Sequence, residues 1–161
     1  MRTAVLLLSV VTLGLMAGLF YAFAGSVMPG LRRAEDRAAV DAMRNINIAI
    51  LNPLFGMIFV GALVSTAVAA VLSIDRPAVA FPLLGALMLY GVTLAVTFAV
   101  NIPLNNRLND AGDPADLADP AAQRADFFTP WVRWNLVRTI TCAGAFAAAA
   151  WALIEHGALN V

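Results

Sequence analysis

Apolar residues fill four long stretches of the chain, at 3–28, 54–73, 78–100 and 136–154. The first three stretches contain no charged side chain, and the fourth contains only Arg138. A bilayer hydrocarbon core about 30 Å thick requires about 20 apolar helical residues, and these stretches contain 26, 20, 23 and 19. The pattern predicts an all-α fold, namely a four-helix transmembrane bundle that crosses the bilayer up-down-up-down.

The first long polar segment, 29–53, follows the first span. Pro29-Gly30 is expected to end that helix, because proline and glycine are poor helix formers. Residues 31–47 contain seven charged side chains and are expected to form an amphipathic helix at the membrane surface.

The second long polar segment, 101–135, lies between the third and fourth spans. Its Asp- and Pro-rich part, 110–120, predicts a solvated, flexible loop. Residues 123–135 are expected to form helix again and to lead into the fourth span. Because no other segment is large enough for a core of its own, all 161 residues are assigned to a single transmembrane domain.

Composition excludes several function classes. With 61% hydrophobic and 12% charged residues and no net charge, the chain offers no basic surface for nucleic acid. It contains no lysine, so Schiff-base chemistry on lysine is excluded. Cys142 is interpreted as a packing residue in the fourth helix, and His156 as part of a solvated tail. No metal site and no cofactor is predicted, because His and Cys do not cluster.

Arginines are distributed unevenly between the two ends of the predicted bundle. Arg2 and Arg76 lie at the end with both termini, whereas seven arginines lie in the two long loops. By the positive-inside rule, we expect a multi-pass protein of a bacterial inner membrane with the long loops cytoplasmic and both termini outside.

A stripe of small residues runs along the first helix, at Gly14, Gly18 and Ala22. Such a stripe allows another helix to approach closely. That partner helix either belongs to the same bundle or to a second copy of the chain, so a homo-oligomer is one interpretation.

Asn101-Ile-Pro-Leu-Asn105 ends the third apolar stretch. If the helix continues, Asn101 and Asn105 share one face. Pro103 lacks a backbone donor and disfavours helix at the preceding residue. The two asparagines are therefore interpreted either as site residues or as side chains that cap a kinked helix end.

A second polar stripe enters the fourth helix at spacings of three and four: Trp131, Trp134, Asn135, Arg138 and Cys142. Trp131 is interpreted as part of an interfacial aromatic belt. Because a charge inside a span is costly, Arg138 is interpreted as a functional residue. The alternative is that its side chain snorkels to the interface, since Arg138 lies near the start of the helix.

An antiparallel bundle brings these groups to one end. The first and third helices end there, and the second and fourth begin there. Asn45 and Asn52, seven residues apart before the second span, are expected to reach the same place. Polar groups that converge in an apolar pocket are the default hypothesis for a binding site.

At these residues the chain resembles the anthrone-oxygenase-like family of small four-helix membrane proteins, formerly a domain of unknown function. The resemblance extends over nearly the whole chain, in Gly18-Leu-Phe-Tyr-Ala-Phe with Val27-Met-Pro-Gly-Leu, Ile46-Asn47 with Leu51-Asn-Pro-Leu-Phe55, Asn101-Ile-Pro-Leu-Asn105, and Trp134-Asn-Leu-Val-Arg-Thr139. Two positions depart from the family pattern: Ile48 stands where Arg is frequent, and Leu136 where His is frequent.

The resemblance implies a monooxygenase that oxidises a flat aromatic or polyketide substrate with molecular oxygen, as fungal relatives convert an anthrone into an anthraquinone. Arg138, Asn101 and Asn135 would then stabilise an oxyanion. Trp134 would stack on the substrate, and Asn105, Asn52 and Asn45 would help to bind it. Leu136 in place of a histidine leaves Asp126 or water as the proton acceptor.

The alternative is a non-catalytic membrane protein that binds a lipid, a quinone or a partner protein. The same pocket suits both interpretations, because each requires an apolar cavity with a few polar groups.

Overall fold

The structure, a computed structural model, describes residues 1–112 and 118–159, and these residues form helices and no strand. The helices are α1 (Arg2–Leu31), α2 (Asp36–Ala49), α3 (Pro53–Leu72), α4 (Pro77–Asp110) and α5 (Pro120–Ala158). All except α2 are long and apolar enough to cross a membrane. The predicted four-helix bundle is therefore confirmed, and the chain is a multi-pass integral membrane protein.

Three helices are longer than their apolar stretches. The first helix ends at Leu31, directly after the Pro29-Gly30 pair that was expected to close it, so the predicted end is confirmed to within the usual variation of a helix boundary. By contrast, α4 continues through Pro103 to Asp110, and α5 begins at Pro120. The expected long loop at 101–135 is thus mostly helix, and residues 113–117 of the expected flexible loop lie outside the described residues.

A π-helical turn precedes Pro29 and Pro103, at Phe23–Val27 and at Thr97–Asn101. Hydrogen bonds in a π-turn run from residue i to i+5, so the register of the backbone ladder changes there. Pro29 and Pro103 each follow in the first turn of the next α-helical segment, where a missing N–H costs least. The helix therefore passes the proline instead of stopping.

The four spanning helices pack in a closed ring, in which α1 contacts α3 and α5, and α4 also contacts α3 and α5. Small side chains such as Ala145 and Ala149 of α5 are fully buried and allow close helix approach. A Cβ atom at Gly14 would lie 3.1 Å from the Phe146 ring on α5. Gly14 therefore contributes to packing inside the bundle.

Buried hydroxyl groups also join the spanning helices. Ser9 Oγ lies 2.6 Å from Thr66 Oγ1 between α1 and α3, and Thr93 Oγ1 lies 2.7 Å from Thr141 Oγ1 between α4 and α5. In an apolar bundle a buried hydroxyl needs a protein partner, and each of these four hydroxyls has one on the neighbouring helix.

Both ends of the chain meet the α3–α4 hairpin at one end of the bundle. Arg2 Nη2 lies 2.8 Å from Asp75 Oδ1, and Thr3 Oγ1 lies 3.0 Å from His156 Nε2. The interpretation of His156 as a solvated tail residue is wrong, because its side chain is 6% exposed. The helix continues past residue 154, so it carries His156 back onto α1.

The opposite end of the bundle is covered by α2. Its buried residues Val40 and Met43 pack with Leu108 of α4 and with Phe127 and Trp131 of α5. This second apolar cluster holds the amphipathic helix α2 against the parts of α4 and α5 that extend beyond the core of the bundle.

One arginine of α5 fastens the connection between α1 and α2. The Arg124 guanidinium donates to the carbonyl oxygens of Leu31, Arg32 and Ala34 and pairs with the Asp36 carboxylate. These bonds satisfy carbonyl groups at the end of α1, which have no partner within their own helix.

Candidate functional site

A cavity of about 200 Å³ lies at the end of the bundle that α2 covers. Aromatic side chains form much of its wall, namely Phe20, Phe23, Phe55, Phe59 and Trp131. Amide side chains form another part: Asn47, Asn101, Asn105, Asn106 and Asn109. Leu51, 79% exposed, also lines the cavity, which places the mouth at the junction of α2 and α3.

Arg138 is the only ionisable side chain that lines this cavity among the described residues. The side chain is 6% exposed and is directed into the bundle. Its Nη2 donates to Asn135 Oδ1 at 2.8 Å, and Asn135 Nδ2 donates to the Phe20 carbonyl at 3.1 Å. This geometry favours the site interpretation of Arg138 over snorkelling to the interface.

The Arg138 guanidinium also lies over two aromatic rings. Its Cζ atom is 4.6 Å from the centre of the Phe20 ring and 5.3 Å from that of Trp131. Cation–π attraction of this kind stabilises a buried cation. Since no carboxylate lines the described cavity, the charge of Arg138 is left uncompensated and attracts an anionic group.

Asn135, predicted to act in the site, lies behind the cavity and not in its lining. It does not line the cavity, and both ends of its amide are engaged, by Phe20 and by Arg138. Its amide connects the Arg138 guanidinium to the Phe20 carbonyl, whereas Arg138 and Asn101 both line the cavity.

The structure places the two tryptophans differently from the prediction. Trp131 is 3% exposed and lines the cavity, and its Nε1 donates to Asn105 Oδ1 at 2.8 Å. Trp134, predicted to stack on the substrate, is 37% exposed and lies outside the lining. The reason is that α2 packs on the Trp131 side of α5 and turns that side inward.

Two predicted substrate-binding asparagines lie away from the cavity. Asn45 is exposed and donates to Asp41 within α2. Asn52 is the N-cap of α3, where it accepts from the Phe55 N–H at 2.9 Å and donates to the Ala49 carbonyl. Because α2 ends between them, the seven-residue spacing does not place Asn45 and Asn52 on one helix face.

Three other asparagines line the cavity and were not predicted: Asn47, Asn106 and Asn109. Asn47 is 4% exposed, and its Nδ2 lies 3.5 Å from Asn109 Oδ1. Asn101, Asn105 and Asn109 are four residues apart, and this helical spacing is the sequence signal that could have identified Asn109. It requires the helix to continue past Pro103, as it does in α4.

Ile48 and Leu136, the two residues that depart from the family pattern, lie outside the cavity. Ile48 is 64% exposed and Leu136 is 52% exposed, and neither lines it. Asp126, the predicted proton acceptor, is exposed and lines a separate groove with Arg107. In this chain, therefore, neither departure removes a side chain from the cavity.

The fold and the cavity together define a class: a small four-helix membrane protein with one buried arginine in an aromatic and amide-lined cavity. The family model of anthrone oxygenase matches residues 48–148, which is more than half of the chain. The chain therefore belongs to the anthrone oxygenase family. The matched part includes Asn101, Trp131 and Arg138, but not Phe20 or Asn47. Comparison with curated proteins and with solved structures found no match.

Proposed function

We propose that the protein is a monooxygenase that oxidises a flat aromatic substrate of the anthrone type with molecular oxygen. The observation that supports this proposal is the buried Arg138, whose positive charge faces an aromatic cavity without a carboxylate in its described lining. An apolar slot with one cation suits a planar molecule that becomes an anion during the reaction.

Arg138 would act on the first step of this reaction. An anthrone that loses a proton from its methylene carbon becomes an anthracenolate, with negative charge on its oxygen. The guanidinium stabilises this oxyanion by charge-assisted hydrogen bonds in a site shielded from water. The aromatic wall beside it, Phe20 and Trp131, packs on the rings of the substrate.

The anthracenolate is electron-rich enough to react with oxygen directly. It transfers an electron to O2, and the two radicals combine in a new carbon–oxygen bond to give a hydroperoxide after protonation. The hydroperoxide loses water as its O–O bond breaks, so that one oxygen atom remains as the quinone carbonyl. The balance is anthrone plus O2 to anthraquinone plus water, and no cofactor enters it.

The proton acceptor in this scheme is water or hydroxide at the mouth of the cavity. The described lining contains no Asp, Glu, His or Cys side chain. The oxidation rate is therefore expected to rise with pH until the bound substrate is fully ionised, as solvent base replaces an enzyme base.

Purified protein in lipid nanodiscs, incubated with emodin anthrone, tests the proposal. Emodin should form faster than in empty nanodiscs, formation should stop under argon, and with ¹⁸O2 one labelled atom should enter the quinone. A rate equal to the spontaneous oxidation in empty nanodiscs contradicts the proposal.

The second candidate is a non-catalytic protein that binds a quinone, a lipid or a partner protein in the same cavity. The lack of a base in the described lining favours it, because binding needs no proton acceptor. Native mass spectrometry of detergent-extracted protein distinguishes the two. A co-purified quinone or lipid without turnover of anthrone supports binding, and so does a second protein chain.

The proposed location is a bacterial inner membrane, with the α2 end of the bundle cytoplasmic and both termini outside. The arginine bias between the ends supports this orientation. Single cysteines at Arg33 and Asp75, in a Cys142→Ala background, test it with a membrane-impermeant maleimide. In intact spheroplasts only the cysteine at Asp75 should react, and the reverse pattern contradicts the orientation.

A further inference from the structure

Two polar atoms in the cavity region have no hydrogen-bond partner among the described residues: Asn101 Oδ1 and Arg138 Nε. Both side chains line the same cavity, and they are 1% and 6% exposed. A buried polar atom without a partner is costly. Such atoms are rare in native structures, and each requires an explanation.

The orientation of the Asn101 amide follows from its surroundings. Its Nδ2 lies 3.5 Å from the Trp131 carbonyl oxygen on α5. Reversing the amide would set two oxygens against each other, so Oδ1 is the atom left without a partner. The amide makes no capping bond at the start of the segment Ile102–Asp110, which excludes the helix-capping interpretation of Asn101.

Three other amide oxygens in or beside the cavity already accept a hydrogen bond. Asn105 Oδ1 accepts from Trp131, Asn109 Oδ1 from Asn47, and Asn135 Oδ1 from Arg138. Among the described residues, Asn101 Oδ1 is the one fully buried amide oxygen without a hydrogen-bond partner, so it is the acceptor open to a ligand hydroxyl in the deep part of the cavity.

We propose that Asn101 is a specificity-determining residue that accepts a hydrogen bond from a free phenolic hydroxyl of the ligand. Arg138 Nε donates to a carbonyl or oxyanion of the same ligand. The ligand class is thus a planar aromatic ketone with at least one hydroxyl that is not bound to its own carbonyl. This inference rests on the proposed function for the choice of an aromatic ligand.

Two quinones with the same ring system, which differ only by the methyl group on one oxygen, separate the hydroxyl contact from general binding. 2-Hydroxyanthraquinone offers a hydroxyl donor, whereas 2-methoxyanthraquinone has the oxygen without the donor. Dissociation constants are measured at pH 6, where the phenol is protonated, with nanodisc-embedded protein and with empty nanodiscs to subtract partitioning. The parent protein should bind the hydroxy compound about three- to tenfold more tightly, as expected for one neutral hydrogen bond.

Asn101→Leu should remove this preference while binding of the methoxy compound changes little. Asn45→Leu is the control, because Asn45 is an exposed asparagine that does not line the cavity. It should keep the preference. If Asn101→Leu does not fold, as judged by size-exclusion and thermal unfolding, Asn101→Ala replaces it and should give the same result.

The inference is overturned if the parent protein binds both quinones equally, if it binds neither, or if the leucine and alanine variants keep the preference. Since neither quinone is turned over, these outcomes are independent of the oxidation assay. Oxidation of emodin anthrone without any hydroxyl preference refutes the role of Asn101 alone. A hydroxyl preference without oxidation refutes the monooxygenase proposal alone.

Discussion

Substitution of Arg138 tests whether its charge acts on the ligand or only supports the fold. Arg138→Gln removes the cation but keeps an amide that fits beside Asn135. If the guanidinium stabilises an oxyanion, the variant loses a hydrogen bond to a charged group. Such a bond contributes about 1.5–3 kcal/mol, so the oxidation rate or the affinity for an anionic ligand should fall about ten- to a hundredfold.

The effect of the same substitution on stability is expected to be small. Arg138 has no ion pair with a described carboxylate, so its burial in the bundle costs about 2–4 kcal/mol. Against this, it gains one hydrogen bond to Asn135 and attraction to the Phe20 and Trp131 rings, at about 0.5–2 kcal/mol each. These contributions nearly cancel, so the Tm should change by less than about 4 °C.

Arg138→Lys tests the geometry of the donor. A lysine retains the charge, but its ammonium cannot supply Nε and Nη donors in one plane. We expect it to lose most of the activity of the parent protein. Arg133→Gln is the matched control, because Arg133 is an exposed arginine on the same helix, and it should leave rate and Tm unchanged.

The measurements are emodin anthrone oxidation and thermal unfolding in the same nanodiscs. A lysine variant as active as the parent would refute the role of the planar guanidinium. A glutamine variant with a Tm lowered by more than about 8 °C and unchanged activity would show that Arg138 only supports the fold.

Four further substitutions test side chains around the cavity and at the connection between α1 and α2. Trp131→Phe should lower the free energy of unfolding by about 1–2 kcal/mol in a denaturant titration, because it strands Asn105 Oδ1; Trp134→Phe should change it by less than about 0.5 kcal/mol. Leu136→His should leave the emodin anthrone rate unchanged, because this side chain points outward; a tenfold increase would contradict the described orientation of α5. Arg124→Gln should destabilise the α1–α2 connection by about 2–3 kcal/mol, seen as faster proteolytic cleavage there, and a cleavage rate equal to that of the parent would contradict this role.

Sequence alone determined the four spans and singled out Arg138 as a charge within one of them. An uninterrupted apolar run of about 20 residues has few alternatives to a membrane helix, and one charge within such a run is conspicuous for the same reason. The antiparallel order of four spans also brings the end of α4 and the start of α5 together. Asn101 and Arg138 were therefore identified as neighbours before any packing was known.

Tertiary structure decided which side chains face the cavity. Trp131 and Trp134 are three residues apart, so they point in similar directions on a helix, and only the position of α2 distinguishes the buried ring from the exposed one. In the same way, the π-turn before Pro103 decided that α4 continues and that Asn109 joins the row. Periodicity tells which residues share a helix face, whereas the contacts between helices decide where that face is turned.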